Sequence, residues 1–148
     1  MNNLDVKIKR VCENAIIPAI QTPGSAGADL YACLDKDTII PPGETVMVPL
    51  GFKTEFPEDY VALIYARSGL ATRDGIAPAN KVCVIDSDYR GEWKIPLHNH
   101  YTVPYMVSNG DRIAQVLFHT IFHPNFIEVD DLSTTERGEG GFNSTGKN

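Results

Sequence analysis

Short apolar runs recur along this chain about every 8–12 residues, the spacing of an all-β sandwich, roll or barrel. Glycine and proline turns separate them. Nothing else limits the fold so strongly, because runs this short cannot bury themselves and must pair with distant runs. Leu4 to Arg10 alternates apolar and charged residues, and Asp29 to Cys33 follows a breaker-rich loop, Pro18 to Ala28. Thr38 to Ile40 is β-branched and stops at Pro41-Pro42-Gly43. Thr45 to Pro49, Phe52 to Phe56 and Tyr60 to Tyr65 come next, then Tyr105 to Val107 and Arg112 to Phe122. Asn80 to Gly91 reads as a strand entering a tight turn, with Glu92 to Leu97 leaving it, so a hairpin is predicted there. Only Arg67 to Arg73 resembles a helix, and it is short.

A chain of 148 residues with 43% hydrophobic and 22% charged residues builds one soluble domain with a sizeable core. Its formal net charge of −6 argues against a broad surface for a nucleic acid polymer. Val61 to Ala66, the longest apolar run, is too short to cross a membrane, and the first ten residues lack a signal peptide's apolar segment. Three cysteines, Cys12, Cys33 and Cys83, show no CxxC spacing. A disulfide framework or zinc knuckle is not expected, and the cytoplasm is the expected location. Composition turns polar and glycine-rich after Val129. Residues 1–131 read as a single all-β domain, and 132–148 as a flexible, glycine-rich C-terminal arm.

Several short motifs carry chemistry, each beside a plainer reading. Asp86 and Asp88 stand two apart after the run Val82 to Ile85. Aspartate favours turns, yet one of the pair can serve as a general base. Arg67-Ser68-Gly69 suits an anion, or simply caps the helix. Arg112 and Gln115 read as an ion pair and a backbone partner, or as phosphate contacts. Asp29 clamps its loop or serves a cation indirectly. His119 and His123 have metal spacing for a helix, but their neighbours predict a strand. Gly141 to Lys147 matches most of a Walker loop, but Asn148 stands where Ser or Thr is needed and no strand precedes it, so we reject that reading. The tail's glycines, Ser144, Thr145 and Arg137 still suit a phosphate, and Phe142 suits stacking on a flat ligand.

Taken in order, AGADLYA (26–32), ARSGLA (66–71), NKVCVIDSDYRGE (80–92), NGDRIAQ (109–115) and RGEGGFNSTG (137–146) resemble the five motifs of the trimeric deoxyuridine triphosphate nucleotidohydrolases. The resemblance implies a distorted jelly-roll of the β-clip type. It implies a homotrimer with sites at subunit interfaces, and an arm that closes over them. It also implies hydrolysis of dUTP to dUMP and pyrophosphate by water attack on the α-phosphate. That activity keeps uracil out of DNA and supplies dUMP for thymidylate synthesis. Asp86 matches the water-directing acid, and Tyr89 the ring beneath deoxyribose. Asn80, Val84 and Ile85 match the uracil-reading backbone, with Lys94 nearby. Arg67, Ser68, Gly69 and Gln115 match phosphate contacts. Arg137, Ser144 and Thr145 match the γ-phosphate grip, and Phe142 the ring over uracil. The resemblance also implies Mg²⁺ held by the triphosphate and waters with no direct protein ligand, Asp29 being the candidate for an indirect contact. Cys83 departs from the usual glycine, so its side chain must point away from the base. Asn143 replaces a second glycine. A related deoxycytidine triphosphate deaminase would need a water-activating acid of its own, and no motif supplies one.

Overall fold

The structure is a computed structural model that describes residues 4–141. Phe142, Ser144 and Thr145 lie outside the described residues. The described chain contains eleven strands and one short helix. The first six strands are β1 (Lys7–Arg10), β2 (Ala28–Tyr31), β3 (Thr38–Ile40), β4 (Thr45–Pro49), β5 (Phe52–Glu55) and β6 (Tyr60–Tyr65). The helix α1 (Ser68–Arg73) follows. The remaining strands are β7 (Ile76–Pro78), β8 (Cys83–Ile85), β9 (Lys94–Asn99), β10 (Tyr105–Val107) and β11 (Arg112–Thr120).

Two sheets form the body, one in the order β2-β11-β6-β8 and one in the order β4-β9-β7. Two-stranded ladders, β1-β5 and β10-β3, flank them. Side chains alternate along a strand, so each strand turns one face inward. Ala114 and Val116 on β11, and Ala62 and Ile64 on β6, are buried from one side, and Ile113 is also buried at the register shift between Arg112 and Ala114. Val48 on β4, and Ile95 and Leu97 on β9, are buried from the other, together with Trp93 just before β9. One apolar cluster joins the two sheets, and Trp93 packs on Phe52 with ring centroids 5.4 Å apart. The result is the predicted all-β architecture with one short helix, consistent with a jelly-roll.

The expected hairpin is not a hairpin. β8 pairs with β6, whereas β9 pairs with β4 and β7. The residues between them cross from one sheet to the other. Trp93, Ile95 and Leu97 decide this: all three are fully or almost fully buried. Burying each large apolar side chain contributes about 1.5–3 kcal/mol, against about 0.2–1 kcal/mol for a cross-strand pair. A ladder on the three-residue β8 cannot compete. The segment from Ile121 to Gly141 contains no helix or strand.

Candidate active site

β8 is an edge strand. Its inner side is paired, with Ala62 opposite Ile85, Leu63 opposite Val84 and Ile64 opposite Cys83. Its outer side has no strand partner, which leaves backbone donors and acceptors for a ligand edge. Val84 points out and is 59% exposed, whereas Cys83 is buried in the core. The Cys83 thiol donates to Asn80 Oδ1 at 3.1 Å. Burial pushes that thiol's pKa up, and the Asn80 bond pulls it the other way. The Cys83 side chain therefore lies in the core, clear of the backbone groups along the open edge.

A pocket of about 350 Å³ opens beside β8, lined by Met47, Val84, Ile85, Asp86, Tyr89, Glu92 and Lys94. Tyr89 N donates to Asp86 O at 3.2 Å, closing the turn that carries both side chains. The Tyr89 hydroxyl reaches Glu92 O at 3.3 Å, and Arg90 Nη1 donates to Ser87 O at 2.6 Å. Lys94 Nζ lies 3.6 Å from Glu92 Oε2. The turn is thus braced at both ends, with Asp86 exposed at the pocket mouth.

A larger cavity of about 1150 Å³ lies at the other end of β6. Arg67, Ser68, Gly69 and Gln115 line it, with Asp29 and Arg112 behind. Asp29 is buried and grips two arginines. Arg67 Nε donates to Oδ1 at 3.1 Å and Arg112 Nη1 to Oδ2 at 3.2 Å. Arg67 Nη1 also donates to Arg112 O at 3.1 Å. Gln115 Nε2 donates to Ala66 O at 3.0 Å, which fixes the amide against the strand end. Ser68 and Gly69 open α1 without a side-chain cap. Tyr105, also in the wall, has its pKa raised by burial first and by the Asp74 and Asp111 carboxylates next.

Asn80 and Arg137 line neither cavity. Asn80 holds the turn before β8, and Arg137 Nε donates to Gly140 O at 2.8 Å. Met47 and Glu92 were not singled out from sequence. The available signal for Met47 was its place between Val46 and Val48, where alternation turns it outward. His98 and His100 face each other at 4.4 Å, away from both cavities. Among the described residues, no group of three or more His, Cys, Asp or Glu side chains is placed to hold a metal ion. No described helix is long and apolar enough to cross a membrane.

The sequence model of the dUTPase family matches residues 13–146. The chain belongs to the dUTPase family. A deoxyuridine 5'-triphosphate nucleotidohydrolase of Desulfitobacterium hafniense (strain Y51) is 47% identical over 99% of both chains. One from Syntrophotalea carbinolica is 40% identical over 99% of both chains. The fold is also that of a dUTPase from Staphylococcus bacteriophage 80alpha, a mutant solved with dUpNHpp. It superposes with a TM-score of 0.88 at 23% identity, covering 97% of this chain and 99% of that one. A mutant dUTPase from phage phi11 of S. aureus, described with a structural Mg(II) ion, gives 0.80 at 20% identity, covering 88% and 99%.

Proposed function

We propose that this chain hydrolyses dUTP to dUMP and pyrophosphate, as a homotrimer whose sites lie between subunits. Membership of the dUTPase family supports the reaction. The observation that carries the composite site is the register of β8 on β6. Ala62 faces Ile85, so Asp86 falls level with Val61. Arg67 lies six positions further along the same extended backbone. At about 3.3 Å per residue that is about 20 Å. The two cavities share no lining residue. That span supports a site in which Asp86 of one copy works with Arg67 of another. The segment after β11 supports the assembly: Phe122, Phe126 and Leu132 are 93%, 90% and 86% exposed in the isolated chain.

Uracil enters at the open edge of β8. Its pairing edge presents acceptor, donor and acceptor, and fixed backbone groups around Val84 and Ile85 match that pattern. Cytosine would leave buried groups unpaired, at a cost of about 1–3 kcal/mol each. Lys94 and Asn80 border this edge, and the Tyr89 ring packs beneath the sugar, leaving no room for a 2′-hydroxyl. Asp86 orients and deprotonates the water that attacks the α-phosphorus. Arg67, Ser68, Gly69 and Gln115 of the neighbouring copy hold the phosphate chain. Arg137, Ser144 and Thr145 grip the γ-phosphate, and Phe142 covers the base.

Mg²⁺ fits this site as the companion of the triphosphate. Asp29 has both oxygens on arginine, so it reaches such an ion only through water. When bound, Mg²⁺ neutralises charge on the phosphate oxygens. The enzyme acts on free nucleotide in the cytoplasm. A pyrophosphate-release assay tests the reading, comparing dUTP with dCTP, dTTP and UTP, with and without Mg²⁺. Turnover selective for dUTP is expected; equal turnover of dCTP or UTP would sink the assignment.

A further inference from the structure

Two of the three thiols meet. Cys12 and Cys33 are 21 positions apart in sequence, yet their sulfurs are 2.7 Å apart. A disulfide bond is about 2.05 Å long, so joining them needs a shift of less than about 1 Å. The backbone holds both residues on one turn. Val11 N and Cys12 N donate to Gly51 O at 2.8 and 3.3 Å, and Cys33 N donates to Pro49 O at 2.9 Å. Gly51 has a φ of +74°, and a Cβ there would sit 2.6 Å from Cys33 Sγ. Only glycine supplies both that backbone shape and that space. Cys12 is partly exposed and Cys33 is buried. The Cys33 thiol is pushed up to about 12, by burial first and then by its bond to Cys12.

We propose that Cys12 and Cys33 are a site of reversible oxidation, closing to an intrachain disulfide in the presence of a peroxide. The partly exposed Cys12 sulfur attacks hydrogen peroxide, the O–O bond breaks, and a sulfenic acid and water result. The Cys33 sulfur then attacks the Cys12 sulfur. The S–O bond breaks, the S–S bond forms, and the hydroxide leaves as water with the Cys33 proton. Two thiols are oxidised by two electrons, and one peroxide is reduced to two waters. Cys83 takes no part, since its thiol faces Asn80. The closed segment, 12–33, carries Gln21, Ser25, Gly27 and Asp29 of the larger cavity's wall. Oxidation therefore closes that stretch of wall into a covalent loop between residues 12 and 33. This site is independent of the reaction proposed above.

The test uses the full chain, reduced and then exposed to graded hydrogen peroxide. Remaining thiols are alkylated, and unreduced peptides are mapped by mass. The expected product is a Cys12–Cys33 cross-linked peptide, lighter by two hydrogens, with Cys83 alkylated. Dithiothreitol reverses it. The oxidised protein melts about 5–10 °C above the reduced one, because the link restricts the unfolded chain. Cys12→Ser, a change at the more exposed position, abolishes both the cross-link and the shift. Recovery of Cys12 as sulfinic acid with Cys33 still alkylated would overturn the proposal, as would links formed only between chains.

Discussion

Asp29→Asn keeps the shape of the side chain and removes its charge. In the parent, one carboxylate accepts from Arg67 at 3.1 Å and from Arg112 at 3.2 Å. Hydrogen bonds to charged groups contribute about 1.5–3 kcal/mol each. Here the acid side chain is 12% exposed, but the arginines are 29% and 48% exposed, so solvent screens part of that gain. A combined loss of about 2–3 kcal/mol remains after that discount. It appears as a fall in Tm of about 4–10 °C. Arg67 also loses the negative charge that aims it into the larger cavity, so kcat/KM for dUTP falls about tenfold or more. Urea and thermal melts check the first number, and steady-state pyrophosphate release the second. A double-mutant cycle with Arg112→Gln adds a coupling energy of about 1 kcal/mol. An Asp29→Asn protein with parental Tm, parental KM and no coupling to Arg112 would refute the clamp.

Asp86→Asn is expected to bind dUpNHpp as the parent does while pyrophosphate release drops about 10²–10⁴-fold; parental turnover would remove Asp86 from the mechanism. A Cβ at Gly91 would lie 2.2 Å from the Tyr89 hydroxyl oxygen. Gly91→Ala therefore displaces the Tyr89 ring and lowers the preference for dUTP over UTP about tenfold, whereas Tyr89→Phe, which keeps the ring, retains it. An unchanged ratio in Gly91→Ala would show that the ring does not set sugar choice. Removal of residues 133–148 is expected to abolish turnover while sedimentation still reports the parent assembly, and an active truncated enzyme would contradict the arm's role.

The fold was legible where a period of two met a buried face. Ala114 and Val116 on β11, and Trp93, Ile95 and Leu97 around β9, announce their inward sides in sequence alone. Pairing was less legible, because it depends on partners far along the chain. The run from Asn80 to Leu97 looked local, yet Cys83 joins one sheet and Leu97 the other. Ordered short motifs named the candidate site residues, whereas the outward turn of Val84 and the inward turn of Cys83 came only from the structure, because Val82 and Val84 read as the apolar alternating pair. Distances set by third parties left no trace. Cys12 and Cys33 meet only because both hang on the turn at Gly51, and no spacing rule for cysteines encodes that. Gly91 is similar, since its requirement comes from the Tyr89 ring and not from its own backbone.

The central claim is that each site takes Asp86 from one copy and Arg67 from another. Asp86→Asn and Arg67→Ala proteins, each inactive alone, can be unfolded together in equal amounts and refolded as mixed assemblies. If the two groups come from different copies, about a quarter of the sites regain both intact residues, and about a quarter of parental activity returns. If pyrophosphate release stays at the sum of the two separate variants, despite mixed assemblies seen by mass, the composite site is wrong.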